Sequence, residues 1–290
     1  MRTFKNLTEN VQEAITMPYG TDFNRPANPE EGMVRYNTTQ DALEFYNGTS
    51  WYKIGDDAVT PATPSIVTDS LVINVDAADS NSYSGSGSTW TDLSQGGNNL
   101  TINGATYDSN GFFSFDGSND SLTSSFNPSI SSNREYTFEF WIKLSSSPSA
   151  FQWTQSIATD YNATAPYVMM GIRGSSDSSH GGKLDHWERN TGGTEVGNRY
   201  HDQTYFDDAW HNITYVADST DLRMYIDGAA VTNTSRPGGT VNSSSNFSFM
   251  TGNGTYIKGD LASIRVYLDK ALSSTEVTQN FNAKKSLFGL

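Results

Sequence analysis

Apolar positions in this chain recur with a period of two, in short runs separated by clusters of Gly, Ser, Asn and Asp. The clearest pair lies in residues 210–228, W-H-N-I-T-Y-V-A-D-S-T-D-L-R-M-Y-I-D-G. In the first run His211, Ile213 and Tyr215 share a face. In the second, Leu222, Met224 and Ile226 share one face, and Arg223, Tyr225 and Asp227 the other. That is the period of a strand with one buried side and one wet side. The D-S-T-D cluster at 218–221 turns the chain, because short polar side chains bond their own backbone. Asp227-Gly228 supplies the positive-φ pair of a second tight reversal. A lone hairpin is marginal in water, so something must cover it. The best partner is 136–144, Y-T-F-E-F-W-I-K-L, whose even positions Tyr136, Phe138, Phe140, Ile142 and Leu144 are all apolar or aromatic. These runs predict the centre of an all-β, two-sheet antiparallel sandwich.

Further strands are expected at 67–75, 100–102, 111–115, 151–157, 167–172, 183–188, 248–250 and 261–267. Long polar loops at 76–87, 159–165, 174–182 and 190–198 separate them. Ser273 and Glu276 stand three apart, the spacing of a capping box, and predict a short helix running to about residue 285. Residues 1–57 carry a different pattern. Short apolar runs at 33–36, 42–46 and 51–54, with Asn47-Gly48 between the last two, predict a three-stranded meander. Strands this short cannot hold Val34, Tyr36, Phe45 and Trp51 out of water alone, so this module is expected to self-associate. The segment 58–65 closes a small, polar stretch with two prolines and reads as a semi-rigid linker. The organisation expected is a module over 1–57, a linker over 58–65 and a sandwich over 66–290.

Two sets of residues resemble known families. E-Y-T-F-E-F-W-I-K, W-H-N-I-T-Y-V and L-R-M-Y-I-D-G, with L-V-I-N-V-D-A at 71–77, F-D-G-S-N-D-S-L at 115–122 and G-D-L-A-S-I-R-V-Y-L-D-K-A-L-S at 259–273, are similar to the laminin-G-like, concanavalin A-like jelly-roll family. The resemblance covers about residues 66–290 and implies the jelly-roll fold. It says less about function, because this fold hosts lectins, adhesion modules, glycosidases and structural domains. The stretch R-P-A-N-P-E-E-G-M-V-R-Y-N-T-T-Q-D-A-L-E-F-Y-N-G-T-S-W-Y-K-I-G at 25–55 resembles a module of bacteriophage virion and tail-fibre proteins. That likeness implies attachment or trimerisation.

Composition narrows the choices. The chain has 290 residues, 35% hydrophobic and 17% charged, which suits a globular protein. It has no cysteine, which excludes disulfides, a thiol nucleophile and thiolate metal sites. A formal charge of −14 argues against nucleic acid as a partner. The opening M-R-T-F-K-N-L-T-E-N lacks an apolar secretion region, and no run is long enough to insert in a membrane, so the expectation is a chain made without a secretory signal. The Asn-x-Ser/Thr triplets, such as Asn6-Leu7-Thr8, are read as products of composition rather than glycan sites.

Lectin-fold glycosidases place carboxylates on alternate residues of one strand, and no Glu here has an Asp two residues later. Glu135 and Glu139 are four apart, but alternation turns Glu139 away from the core and Glu135 sits at the strand entrance. Catalysis is therefore not expected. The four histidines, His180, His186, His201 and His211, match no compact zinc spacing. No cofactor is required, and Ca²⁺ is the one the pattern admits. Asp76, Asp116, Asp120 and Asp260, with Asp79, are loop or strand-end carboxylates of the kind calcium takes, and equally good turn formers without metal. Sugar binding needs an exposed aromatic ring with polar groups beside it. Trp187, Tyr161, Tyr200 and Arg199 are the candidates, against the alternative that Trp187 packs in the second sheet. Trp90, Trp141 and Trp210 are assigned to structure.

The sequence reading is a non-enzymatic virion subunit, a fibre, appendage or decoration protein. Its partners are further copies of itself, most simply a trimer, other virion proteins through 1–57, and host surface glycans. The rival readings are a bacterial carbohydrate-binding module and a lectin-fold glycosidase.

Overall fold

The computed structural model describes residues 17–54, 65–130, 135–144, 154–161, 166–201, 203–236, 241, 243, 245–252 and 254–290. The start of the expected 151–157 strand and most of the 58–65 linker lie outside them. Contacts divide the chain into two compact units, Met1–Thr63 and Pro64–Leu290.

In the smaller unit Val34–Asn37, Ala42–Tyr46 and Trp51–Ile54 form an antiparallel meander. Tyr19–Gly20 adds a fourth strand, parallel to the first, too short to show any period in sequence. Alternation gives the sheet two unlike sides. One buries Arg35, Asn37 and Glu44. The Glu44 carboxylate accepts from Arg25 at 2.7 Å and from Asn37 at 2.8 Å, and the Arg25 bond is the main cause holding its pKa below the usual carboxylate value. The other side carries Val34 opposite Phe45, Tyr36 opposite Leu43, then Tyr52 and Ile54. Val34, Tyr52 and Ile54 are exposed. Trp51 falls on the charged side, paired with Tyr46 and 6.0 Å from the Arg35 guanidinium. Of the four residues expected to mediate self-association, three share the apolar side and Trp51 does not, because strand alternation turns it over.

The larger unit is a two-sheet antiparallel jelly-roll sandwich. The first sheet runs in the order Ala229–Ser235, Asp221–Ile226, Trp210–Ala217, Tyr136–Lys143, Lys258–Leu268, Phe112–Asp116, Thr106–Asp108. Leu71–Asp76 pairs along the far half of the long Lys258–Leu268 strand. The second sheet runs Glu195–Tyr200, Leu184–Arg189, Tyr167–Arg173, Thr154–Thr159, Ser248–Phe249, Ser121–Ser124, Leu100–Asn103, Thr89–Trp90. Between them lie Tyr136, Phe138, Phe140, Ile142, Leu144, Ile213, Tyr215, Leu222, Met224 and Ile226, all buried in one cluster as the alternation predicts. The reversals are also as expected. Asp218 Oδ1 accepts from the Thr220 and Asp221 amides, and Asp227 and Gly228 take φ of 50° and 77°. The Glu195–Tyr200 strand falls in a stretch expected to be loop, because Gly197 and its polar neighbours hide the period. Gly197 has a packing reason, since a Cβ there would meet Glu188 Oε2 at 2.8 Å.

The outer side of the first sheet corrects the sequence reading. It is not wet. Glu139, Trp141, Thr137, Tyr225 and Arg265 are all buried, because the capped helix Ser274–Lys284 lies across them. Ser273 and Glu276 form the expected capping box. Trp141 stacks on Phe281 and Phe288, at 5.7 and 4.1 Å between ring centres. Asn280 donates to Glu139 Oε2 at 2.6 Å and to the Tyr267 hydroxyl, while its carbonyl accepts from Val67 N. Glu139 Oε1 accepts from Arg265 at 2.6 Å and from Asn212 at 3.1 Å.

Phe140 tests the inner face. Its truncation to Ala should cost ~3–5 kcal/mol, as large core deletions do, measured as the fall in unfolding free energy in a urea titration. A loss below about 1 kcal/mol would mean the ring is not in the core.

Candidate functional site

The outward side of the second sheet gathers three of the four residues proposed for sugar contact. Val168, Met170 and Ile172 point into the core, so Tyr167, Met169, Gly171 and Arg173 point out. On the next strand Leu184 faces the core, which leaves Asp185, Trp187 and Arg189 facing outward. Register sets Met169 opposite Trp187, Gly171 opposite Asp185, and Trp187 in turn opposite Asn198. Tyr200 stands opposite Asp185. Tyr161 closes one edge, with its ring 4.8 Å from Tyr167, and Tyr167 lies 6.5 Å from Trp187. Arg199 lies on the same strand, opposite His186, and its side chain is outside the described residues.

Trp187 is packed rather than displayed, at 5% exposure. The guanidinium groups of Arg173 and Arg189 lie 4.9 and 4.6 Å from its ring. Arg173 also reaches Tyr200 at 5.5 Å. Tyr161, Arg189 and Tyr200 remain half-buried and form the open rim. The 174–182 loop leans on this face. Asp177 bonds Arg173 at 2.9 Å, and His180 stacks on Tyr200 at 3.9 Å. The Arg173 bond is the first cause holding the Asp177 carboxyl down at about 2.

Asp185, at the centre, was not singled out in the sequence. Burial pushes its carboxyl up to about 7, against the Thr154 hydroxyl that bonds Oδ2 and the Arg173 charge at 3.6 Å. Its Oδ1 has no hydrogen-bond partner among the described residues. Ser156 Oγ, Arg189 Nε and Asn198 Oδ1 on the same side are also buried without one. A short polar residue flanked by Leu and His carries no sequence signal of this. Only the register, which brings it beside Trp187, Asn198 and Thr154, reveals it.

The remaining candidates do not converge. Asp76 pairs with Lys284 at 2.7 Å and caps its own turn at Ala78 N. Asp116 and Asp120 close one turn, Asp120 Oδ2 accepting from Asp116 N and Asp116 Oδ1 from Ser118 N. Asp260 bonds Ser114 and pairs with Lys143 at 2.9 Å. Among the described residues no three His, Asp or Glu side chains come together as a metal site, and these four aspartates stand in separate turns and ion pairs. His186 is buried in the core against the Tyr136 hydroxyl, and burial lowers its pKa to about 3. His211 sits between Asp227 at 2.8 Å and Asp207 at 3.2 Å. The Asp227 bond leads the causes that raise its pKa.

With this geometry in hand, comparison with known proteins places the fold. A family model described as the concanavalin A-like lectin/glucanases superfamily, of laminin-G type, matches residues 115–278, more than half of the chain. The chain belongs to this superfamily. No curated protein matches it. Among solved structures, this lectin-like chain is similar to the binding domain of Paraclostridial mosquitocidal protein 1, with TM-score 0.53 and 17% identity, over 74% of this chain and 52% of that one. It is similar to the ligand-binding domain of botulinum neurotoxin serotype D in complex with N-acetylneuraminic acid, with TM-score 0.59 and 13% identity, over 77% and 53%. Domain 4 of AbnA, a GH43 extracellular arabinanase from Geobacillus stearothermophilus, in complex with arabinotriose, gives TM-score 0.54 and 14% identity, over 72% and 97%. The chain spans about half the length of the toxin domains it matches. At these identities the likeness establishes the concanavalin A-like fold.

The titrating groups make a pH prediction. Asp185 and Asp160, both raised to about 7 by burial, hold protons in the folded state that the unfolded chain has released. His211, raised by its carboxylates, likewise binds its proton more tightly when folded. The two aspartate contributions are lost from about pH 4 up to about pH 7 and that of His211 at higher pH, while His186, lowered to about 3, offsets one proton of this up to about pH 6.5. Melting temperature should therefore fall from about pH 5 to about pH 7, and Asp185→Asn should flatten that fall. A flat or rising profile would contradict the assignment.

Proposed function

We propose that this chain is a non-enzymatic carbohydrate-binding protein whose jelly roll receives sugar on the outer side of the second sheet. The observation that carries the reading is the coincidence, on one face, of aromatic rings with buried polar atoms that have no partner among the described residues. Asp185 Oδ1 and Asn198 Oδ1 share the outward side with the Trp187–Tyr167–Tyr161 group, Asn198 standing opposite Trp187, and Ser156 Oγ lies further along that side, opposite Gly171. Sugar hydroxyls donate to such acceptors while ring C–H groups pack on aromatic faces. Entry requires the half-buried rim of Tyr161, Arg189 and Tyr200 and the Asp177–His180 loop to yield. Catalysis is not favoured, because the buried glutamates are held by arginines. Glu139 is paired with Arg265 at 2.6 Å and Glu188 with Arg236 at 2.7 Å, neither lining a cleft with a second carboxylate.

The reading extends to the small unit. Its sheet has charged residues on its buried side and Val34, Tyr36, Leu43, Phe45, Tyr52 and Ile54 on the other, which supports self-association through the apolar side. Together with the virion-module likeness of 25–55, this makes the protein a phage appendage or decoration subunit that displays several copies of a weak sugar site. The arabinanase domain solved with arabinotriose favours a second reading, a carbohydrate-binding module appended to a bacterial enzyme. The two part on whether the small unit assembles copies.

Glycan-array binding should be present with the full chain, unaffected by calcium chelation, and reduced at least about tenfold by Asn198→Ala, the size of one lost buried hydrogen bond, with melting temperature unchanged. Polysaccharide turnover, or no binding to any glycan, would overturn the proposal. Separately, Phe45→Glu should lower the mass seen in sedimentation from an oligomer to a monomer. Equal monomeric masses for both proteins would end the assembly reading and leave the appended module.

A further inference from the structure

The chain leaves the second sheet at Tyr200 and enters the first at Trp210, and residues 203–209 lie in the crossing between them. One side chain clamps this crossing. His211, on the inner side of the Trp210–Ala217 strand, has a carboxylate at each ring nitrogen. Nδ1 lies 2.8 Å from Asp227, in the reversal after Asp221–Ile226, and Nε2 lies 3.2 Å from Asp207 of the crossing itself. Asp227 is held firmly, since its Oδ1 accepts from Asn212 N at 2.8 Å and its own amide donates to the Asn212 carbonyl. Asp207 is exposed, and its other bond is to the Ala209 amide two residues on. The Tyr205 ring packs 5.0 Å from His211 and 5.4 Å from His201, the other titratable groups on that side. Among the described residues neither carboxylate has a lysine or arginine partner.

An imidazole carries two N–H donors only when it is charged. In that state His211 donates to both aspartates and closes the crossing onto the strand. When neutral it keeps its one proton for the shorter Asp227 bond, and the Nε2 lone pair then faces a carboxylate that can only accept. Attraction to Asp207 becomes repulsion. The Asp227 bond first, and the Asp207 bond after it, hold the proton on against the opposing effect of burial, so the clamp is complete in acid and is lost as pH rises through a value above the ordinary histidine one. The crossing rests on the base of the 174–182 loop. A Cβ at Gly182 would stand 3.3 Å from Thr204 and 3.7 Å from Phe206, and the Gly182 amide donates to the Arg173 carbonyl. That loop is the one that sets Asp177 on Arg173 and His180 on Tyr200. We propose that residues 203–209 are a proton-operated strap, clamped while His211 donates to Asp207 and Asp227 together, and released on loss of its proton so that the 174–182 loop can lift from the Trp187 face. Its bearing on ligand entry rests on the sugar reading of that face, whereas the strap itself does not.

Hydrogen exchange followed by mass spectrometry on the full chain tests it, at about pH 5.5 and 8.5, either side of the histidine range, with each rate taken relative to the unfolded chain at the same pH. Protection of peptides covering 203–209 and 174–182 should fall at least about tenfold across that interval, the size of one charge-assisted hydrogen bond, beyond any change in the 136–143 strand. In Asp207→Ala, which alters only an exposed carboxylate, protection of both segments should be low at either pH. His211→Gln is read beside it and should behave alike. In Asp185→Asn, which removes the titrating carboxyl of the Trp187 face itself, the fall should persist. No fall at 203–209 in the parent, a fall unchanged in Asp207→Ala, or a fall that leaves 174–182 indifferent would overturn the inference. The exchange step without glycan binding at either pH would count against the sugar reading alone and support the strap.

Discussion

Burial of the Tyr136–Lys143 strand on both sides is the constraint on which the rest of the sandwich depends. Its inner side needs only another apolar sheet. Its outer side carries Glu139 between Thr137 and Trp141, and a carboxylate with no exposure must be fully bonded or it is very costly. Arg265, Asn212 and Asn280 supply those bonds from the two neighbouring strands and the C-terminal helix. Helix, strand order and register are thus tied to one buried anion. Trp141, stacked with both Phe281 and Phe288, adds the apolar area that holds the helix down.

A comparable polar knot lies at one end of the core. Arg236 bonds both Glu188 oxygens, and the Tyr136 hydroxyl donates to the same carboxylate while contacting His186. Gly197 leaves room for it. Two inward-facing residues of the Leu184–Arg189 strand are thereby used up in structure, and only the outward residues of that strand are left for a ligand. Buried pairs of this kind contribute little net stability but strongly disfavour registers that would break them.

Much of this was legible in the sequence. Period-two alternation located the hairpin at 210–226 and the 136–143 strand with the correct inward residues, and the capping box placed the helix start. The same alternation could not say that the outward side is also buried, since Glu139 reads only as turned away from the core until a helix is laid over it. Short strands such as Tyr19–Gly20 and Thr89–Trp90 have too few residues for a period. The candidate site was half legible. Trp187, Tyr161 and Tyr200 stood out as aromatics among polar neighbours, and the register brings them to one face. Asp185 and Asn198 matter only through cross-strand pairing, which a single sequence does not display. The aspartates suggested for calcium show the opposite case, because Asp-Gly and Asn-Asp are as well explained by turns, and turns and ion pairs are what they make.

The attachment of the helix has a mechanical side. Gln279 bonds the Ser65 carbonyl and Asn280 bonds the Val67 amide, so the chain enters the sandwich pinned beside its last helix. These bonds couple Ser65 and Val67 to the helix and, through Asn280 and Tyr267, to the long Lys258–Leu268 strand beneath it, on the outer side of the first sheet. The Trp187 face belongs to the other sheet, with the whole apolar core in between. A load entering at Ser65 is therefore met by the layer farthest from the Trp187 face, and the second sheet is the last to feel it.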